Sequence, residues 1–230
     1  ELICRDNVNL AENTSGAKLA RSQIKNYFAQ ITGVDDQFGR ILRALAEQGL
    51  AENTIVVFTS DHGNCLGSHD VPTKNVHYDE SMIVPFLIRW PGKISPRRDD
   101  LLLSTVDIYP TLLDLMGFGD DVPDVVRGTS HATLFRTGKG PRPSSALYMW
   151  IPAGQPEWGR RGVRTDRYTL MIDKRPEQPI RRVLHDNGDD PFQRKDIAEQ
   201  QPELVERLVR EELTPWLRRA DDPWLENEVP

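Results

Sequence analysis

The sequence predicts an α/β fold: a mostly parallel sheet flanked by helices, then a small antiparallel sheet closed by a terminal helix. Three observations lead there. A long stretch with helical spacing runs into a short β-branched segment that is apolar on both faces, as a strand inside a parallel sheet would be. A Gly-, Pro-, Lys- and Ser-rich stretch at 137–145 is followed by brief alternating segments. The chain then ends on an amphipathic helical pattern.

Residues 1–20 read as polar and irregular, with Asn13-Thr14-Ser15-Gly16 as a turn signal. Over 19–48, Ile24, Phe28, Ile31, Val34, Phe38, Ile41 and Leu45 recur at helical spacing, and Gly49 stands where a C-cap belongs. Gly33 and Gly39 leave one bent helix or two abutting ones open. Residues 55–58 form the buried strand. A second strand is expected over 83–90, interrupted by Pro85 and stopped by Pro91-Gly92. Residues 101–105 read as a short strand leading into a helix over 107–117, with Pro110 in its first turn and Gly117 as its cap. The antiparallel sheet is expected from 146–150, 162–163, 168–172 and 182–185. The final helix, 202–219, puts Leu204, Leu208, Leu213 and Trp216 on its apolar side. The two parts divide as 1–137 and 138–230.

The bulk numbers narrow the function. At 230 residues the chain holds one substantial core, or a core with a small appended domain. Hydrophobic residues at 38% and charged residues at 28% fit a soluble protein rather than a disordered or membrane one. A net charge of -6 argues against a nucleic-acid surface, and the Arg pairs at 97–98, 160–161 and 181–182 are short and interleaved with acids. Cys4 and Cys65 make neither a disulfide framework nor a thiolate metal site. No apolar run is long enough to span a bilayer and no signal peptide is visible, so no membrane partner is expected. The opening at Glu1 reads like the middle of a protein.

The chemistry concentrates after the buried strand. The run Ile55-Val56-Val57-Phe58-Thr59-Ser60-Asp61-His62-Gly63 ends by presenting a carboxylate and an imidazole in a loop, and Lys74 follows. Oxygen and imidazole donors suit a divalent metal, and a lysine suits the oxyanion such a metal would hold. The bland alternative is a turn cap, a surface histidine and a solvated lysine. His69 and His77 add nitrogens to the same loop, although loops collect polar residues in any case.

Taken together, the segment Asn53 to His69 with Ser60-Asp61-His62-Gly63, then Lys74, then Val84-Pro85-Phe86-Leu87-Ile88-Arg89-Trp90-Pro91-Gly92, closely resembles the sulfatase family of the alkaline-phosphatase-like superfamily. Val34-Asp35-Asp36-Gln37-Phe38-Gly39, Ser104-Thr105-Val106-Asp107-Ile108-Tyr109-Pro110-Thr111-Leu112, Gly162-Val163-Arg164-Thr165-Asp166-Arg167-Tyr168 and Leu184-His185-Asp186 extend the likeness over nearly the whole chain. The resemblance implies that 1–137 is the C-terminal part of the catalytic core and 138–230 the C-terminal subdomain. It implies that Asp61 and His62 bind one divalent cation, Ca2+ first and Mn2+ as the alternative. Lys74 would contact the sulfate and assist the leaving group.

Sulfatases carry two further aspartates and a formylglycine nucleophile made from a Cys/Ser-x-Pro-x-Arg motif, and this chain has neither. Cys4 is followed by Arg-Asp-Asn and Cys65 by Leu-Gly-Ser, while Ser95-Pro96-Arg97 and Arg142-Pro143-Ser144-Ser145 have the wrong spacing. The chain thus resembles the C-terminal half of a sulfatase. The formylglycine is expected in an N-terminal half, and weak or no metal binding is expected of this chain alone. Self-association or pairing with that half is expected too. The substrate class implied is a sulfate ester of a sugar or an aryl group. A phosphodiesterase or phosphonate monoester hydrolase, or a non-catalytic assembly fragment, are the rival readings. Trp150, Trp158 and Arg160 would suit a sugar-binding cleft, but packing within a small subdomain is the simpler reading.

Overall fold

The computed structural model describes residues 24–227, so the polar stretch at 1–20, its turn signal and Cys4 lie outside the described residues. The chain divides into two compact units, Glu1–Pro96 and Arg97–Pro230.

In the first unit, α1 (Ile24–Glu47) is one continuous helix. Gly33 and Gly39 do not break it, and Gly49 takes the left-handed conformation at φ +70° just past its end. No residue of α1 is buried. Its apolar stripe exists, but Phe28, Ile31, Val34 and Ile41 face solvent, while Phe38 meets the ring of Phe58 at 5.0 Å between centroids.

Strand β1 (Val56–Thr59) pairs with β2 (Phe86–Arg89), and a short helix α2 (Asp79–Met82) lies in the connection. Pro85 has no N–H to donate, so β2 begins after it rather than at 83. The pair is antiparallel, with Val56 opposite Arg89 and Thr59 opposite Phe86. This corrects the reading of 55–58 as a strand flanked by parallel neighbours: both sheets among the described residues are antiparallel. Apolar side chains on both faces report burial, not the direction of the neighbouring strand.

In the second unit, the expected strand at 101–105 is absent. The backbone there is irregular, and α3 (Thr105–Met116) starts directly after Ser104, whose N–H donates to Asp107 Oδ2 at 3.1 Å. Pro110 therefore lies inside the helix rather than in its first turn. It leaves the Val106 carbonyl without its helical donor, and Gly128 runs so close to that carbonyl that a Cβ would meet it at 1.8 Å. Gly117 caps α3 at φ +91°. A short helix α4 (Ala132–Thr137) follows.

Strands β3 (Ser145–Trp150), β4 (Gly159–Thr165), β5 (Tyr168–Lys174) and β6 (Arg181–Asp186) make a sheet in that order, each antiparallel to its neighbour. Alternation sends Val163, Leu170, Ile172 and Leu184 to one face, where Val205, Leu208, Leu213 and Leu217 cover them. Those last residues come from α5 (Pro202–Leu208), a π-helical turn (Val209–Leu213) and α6 (Thr214–Arg219). The expected single helix thus contains a π turn just before Pro215, which cannot donate to the Glu211 carbonyl. Arg161, fully buried, pairs with Asp222 at 2.8 Å, donates to the Pro156 carbonyl and lies over the Trp224 ring. Among the described residues no helix is long and apolar enough to cross a membrane.

Candidate functional site

Where β1 stops at Thr59, Ser60, Asp61 and His62 form the start of a loop that is pulled back at once. Gly63 donates its N–H to the Ser81 carbonyl at 2.9 Å, and a Cβ on it would meet the Glu80 carbonyl at 2.0 Å. Only glycine permits that approach. Asp61 accepts hydrogen bonds from the His62 backbone N–H at 3.0 Å and from the Ser60 hydroxyl at 3.3 Å. Its side chain is 82% exposed, that of His62 36%. Partial loss of water pushes the Asp61 carboxyl up, but hydrogen bonds from the His62 amide and the Ser60 hydroxyl outweigh it and hold the group below its ordinary value.

The tautomer of His62 follows from its partners. Nδ1 lies 2.7 Å from the Gly63 carbonyl, which only accepts, so Nδ1 carries the proton. Nε2 then holds the lone pair and accepts from the Lys74 ammonium. Asp61 Oδ2 stands 3.3 Å from the same Nε2. A carboxylate oxygen and an imidazole nitrogen stand side by side, donor types that a divalent cation accepts, and in this structure the Lys74 ammonium lies against the nitrogen. The structure thus brings Asp61, His62 and Lys74 together.

His69 and His77 go elsewhere. His69 stacks on Tyr78 with centroids 3.5 Å apart and faces Glu80 at 3.5 Å, both of the latter pair nearly sealed, and His77 is buried. Leu66, His69, Asp70 and Asn75 all adopt positive φ, backbone strain that persists only where surrounding contacts hold it. The Cys65 thiol is pushed up to about 12 by burial and by Glu80, and it is buried and unbridged. No set of three or more His, Cys, Asp or Glu able to hold a metal occurs among the described residues. Asp61 and His62 fit a divalent ion by donor type, as part of a shell. The bracing by His69, Tyr78 and Glu80 had no signal in the sequence, because these partners are read there as separate polar residues. In the second unit, Trp158 lies near Lys174 and Trp150 under Arg160.

The family model for sulfatases matches residues 4–118, and the model described as N-sulphoglucosamine sulphohydrolase, C-terminal, matches residues 67–218. An endo-4-O-sulfatase of Bacteroides thetaiotaomicron is 43% identical over 99% of this chain and 46% of its own length. The chain belongs to the sulfatase family. The crystal structure of the sulfatase-like yidJ protein of Bacteroides fragilis superposes with a TM-score of 0.90 at 37% identity, covering 96% of this chain and 48% of that one. The structure of BT4656 with its substrate D-glucosamine-2-N,6-O-disulfate matches with a TM-score of 0.73 at 26% identity, over 93% of this chain and 43% of that one. This sulfatase chain spans about half the length of the relatives it matches. The family in general works with a divalent metal and a formylglycine.

Proposed function

We propose that the chain supplies the Asp61–His62–Lys74 part of a site that hydrolyses sulfuric esters. One observation carries the reading: the lone pairs of Asp61 Oδ2 and His62 Nε2 converge at 3.3 Å, with Lys74 beside them, on a loop held in strained backbone. Asp61 and His62 would hold a divalent cation, Ca2+ before Mn2+ given the carboxylate donor. Such an ion polarises the non-bridging oxygens of the ester. Gly63 fixes the tautomer that leaves Nε2 free to ligate, and Asp61 is kept anionic by its amide bond. Lys74 moves its ammonium from Nε2 to the sulfate and offsets the charge that builds on the leaving oxygen. The nucleophile, the further acidic ligands and the pairing surface for α1 belong to an N-terminal half, with the core and C-terminal subdomain meeting near residue 137.

The substrate read from these relatives is a sulfated saccharide. The test is reconstitution. The chain is mixed with the part of the Bacteroides thetaiotaomicron relative that it does not match, and an aryl sulfate, a sulfated disaccharide and an aryl phosphate diester are offered with Ca2+. Sulfate turnover that appears only on mixing, and falls on the order of a hundredfold with Lys74→Ala, is the expected result. Preference for the phosphate diester, or no effect of Lys74→Ala, overturns the reading.

A further inference from the structure

The four-stranded sheet ends on β6, and that edge is only half closed. Leu184 donates its N–H to Asp196 Oδ1 at 3.1 Å, and its carbonyl accepts from the Ile197 N–H at 2.9 Å. Both main-chain groups of Leu184 therefore point away from β5. In an antiparallel ladder the outward groups recur at every second residue, so those of Arg182 point outward too. Neither is hydrogen-bonded to another group among the described residues. Pro179 has no N–H to add, so the open stretch of edge is short and centred on Arg182.

A groove of about 680 Å³ runs beside this open stretch, between the start of β6 and α5. Ile180, Val205 and Val209 give it apolar walls. The register sets Arg182 opposite Ile172, on the face that α5 covers, so its side chain belongs to the groove side of the sheet. The charges along the groove are separated. Arg182 stands on the strand side and Glu199 and Glu206 on the side of α5. All three are exposed, and none is in an ion pair among the described residues.

We infer that this edge binds an extended peptide, adding it as a further strand antiparallel to β6. The chain already does this for itself at Leu184, where Asp196 and Ile197 take the place of a neighbouring strand. Strand addition supplies the main-chain bonds, and side chains at every second position reach the groove. The peptide that fits carries an acidic residue opposite Arg182, an apolar one two positions on for the groove, and a basic one two further for Glu199 and Glu206. A second copy of this chain fits poorly. Two β6 edges pairing at their open residue would set Arg182 directly opposite Arg182, and like charges so placed repel. Binding here is independent of the hydrolase reading and is tested without turnover.

The whole chain is titrated with the end-blocked peptide Thr-Asp-Thr-Leu-Thr-Lys-Thr, and hydrogen exchange is followed at the Arg182 amide. Binding is expected, with exchange at that amide slowed about tenfold or more. N-methylation at the peptide's Asp removes the N–H that meets the Arg182 carbonyl and is expected to weaken binding about tenfold. Arg182→Glu, a change at an exposed residue, is expected to keep the melting midpoint and to lose about tenfold in affinity. A peptide with Lys in place of that Asp should bind this variant better than it binds the wild type. No binding at about 1 mM peptide, no slowing at the Arg182 amide, or equal affinity of the N-methylated peptide overturns the inference. A dimer in light scattering that Arg182→Glu dissolves gives the edge to a second copy and overturns it too. So does protection of the Arg182 amide by the unmatched part of the Bacteroides thetaiotaomicron relative, which would assign the edge to an N-terminal half.

Discussion

In the unit Arg97–Pro230, burial belongs to regular structure: Leu170, Ile172 and Leu184 of the sheet and Leu213, Leu217 and Trp224 above it are 0% exposed. In the unit Glu1–Pro96 it belongs to a loop. Among its described residues the buried ones are Cys65, Gly67, Ser68, His77 and Ser81, all between the end of β1 and the end of α2, while α1 buries none and both strands are half-exposed. The second unit is a scaffold whose core closes on itself. The first orders the segment that carries Lys74 and leaves the apolar stripe of α1 open. The proposed chemistry and the buried core thus fall in different parts of the chain.

The largest test of that contrast is Arg161→Ala. It would leave the Asp222 carboxylate buried and unpaired, and a loss of about 3–5 kcal/mol in chemical denaturation is expected. A loss below about 1 kcal/mol would mean that water reaches this pair and that the scaffold is looser than its burial suggests.

Next comes a matched pair of truncations. Leu170→Ala in the sealed face should cost about 2–5 kcal/mol. Ile31→Ala, on a helix with 48% of that residue exposed, should stay within about 0.5 kcal/mol. Phe28, Ile31 and Val34 together form an exposed apolar stripe, the kind of patch that marks an association surface. Light scattering should show self-association that Ile31→Glu reduces; a wild-type monomer would break this half of the comparison.

How much of this was legible differs between the units for the same physical reasons. The sheet of the second unit shows in sequence because Val163, Leu170, Ile172 and Leu184 sit at alternating positions, and one covered face writes a period of two. Asp61, His62 and Lys74 were legible as a motif, and family membership followed from the segments around it. Pairing was not legible. Nothing in 55–58 says that β1 runs antiparallel to β2, and nothing in Arg161 announces Asp222, far along the chain. Pro110 looked like a first-turn residue because the preceding Leu101-Leu102-Leu103 resembles a strand. The Ser104 cap starts the helix earlier. The loop's bracing, His69 on Tyr78 and against Glu80, depends on a fold-back made through Gly63 and on left-handed residues that composition does not mark.

A smaller effect, in the second unit, is read by pH. Burial alone would raise the Asp173 carboxyl, but Arg175 and Arg160 outweigh it and hold its pKa below the ordinary value. A depressed folded pKa means that the contribution is complete above the unfolded carboxylate value of about 4 and is lost as pH falls through the folded one. Melting midpoints should therefore drop below about pH 4, and Asp173→Asn should flatten that drop while lowering stability at neutral pH. An unchanged acid limb in Asp173→Asn would move the acid sensitivity to other carboxylates.

The smallest effect on stability is expected at the residue with the largest expected effect on chemistry. Asp61 is exposed, and its hydrogen bonds are local, from the next amide and the preceding hydroxyl, so Asp61→Ala should leave the melting midpoint of the chain in place. Added Ca2+ should leave it in place as well. A ligand stabilises only as far as it binds the folded state, and Ca2+ takes about 6–8 oxygen ligands where this loop offers one carboxylate and one imidazole. In the reconstituted enzyme, with the further acidic ligands present, Ca2+ should raise the midpoint and Asp61→Ala should abolish the rise. A Ca2+-dependent rise already present in the chain alone, and lost with Asp61→Ala, would show that the strained loop holds a complete shell by itself. The first unit would then be a finished site rather than one awaiting its acidic partners.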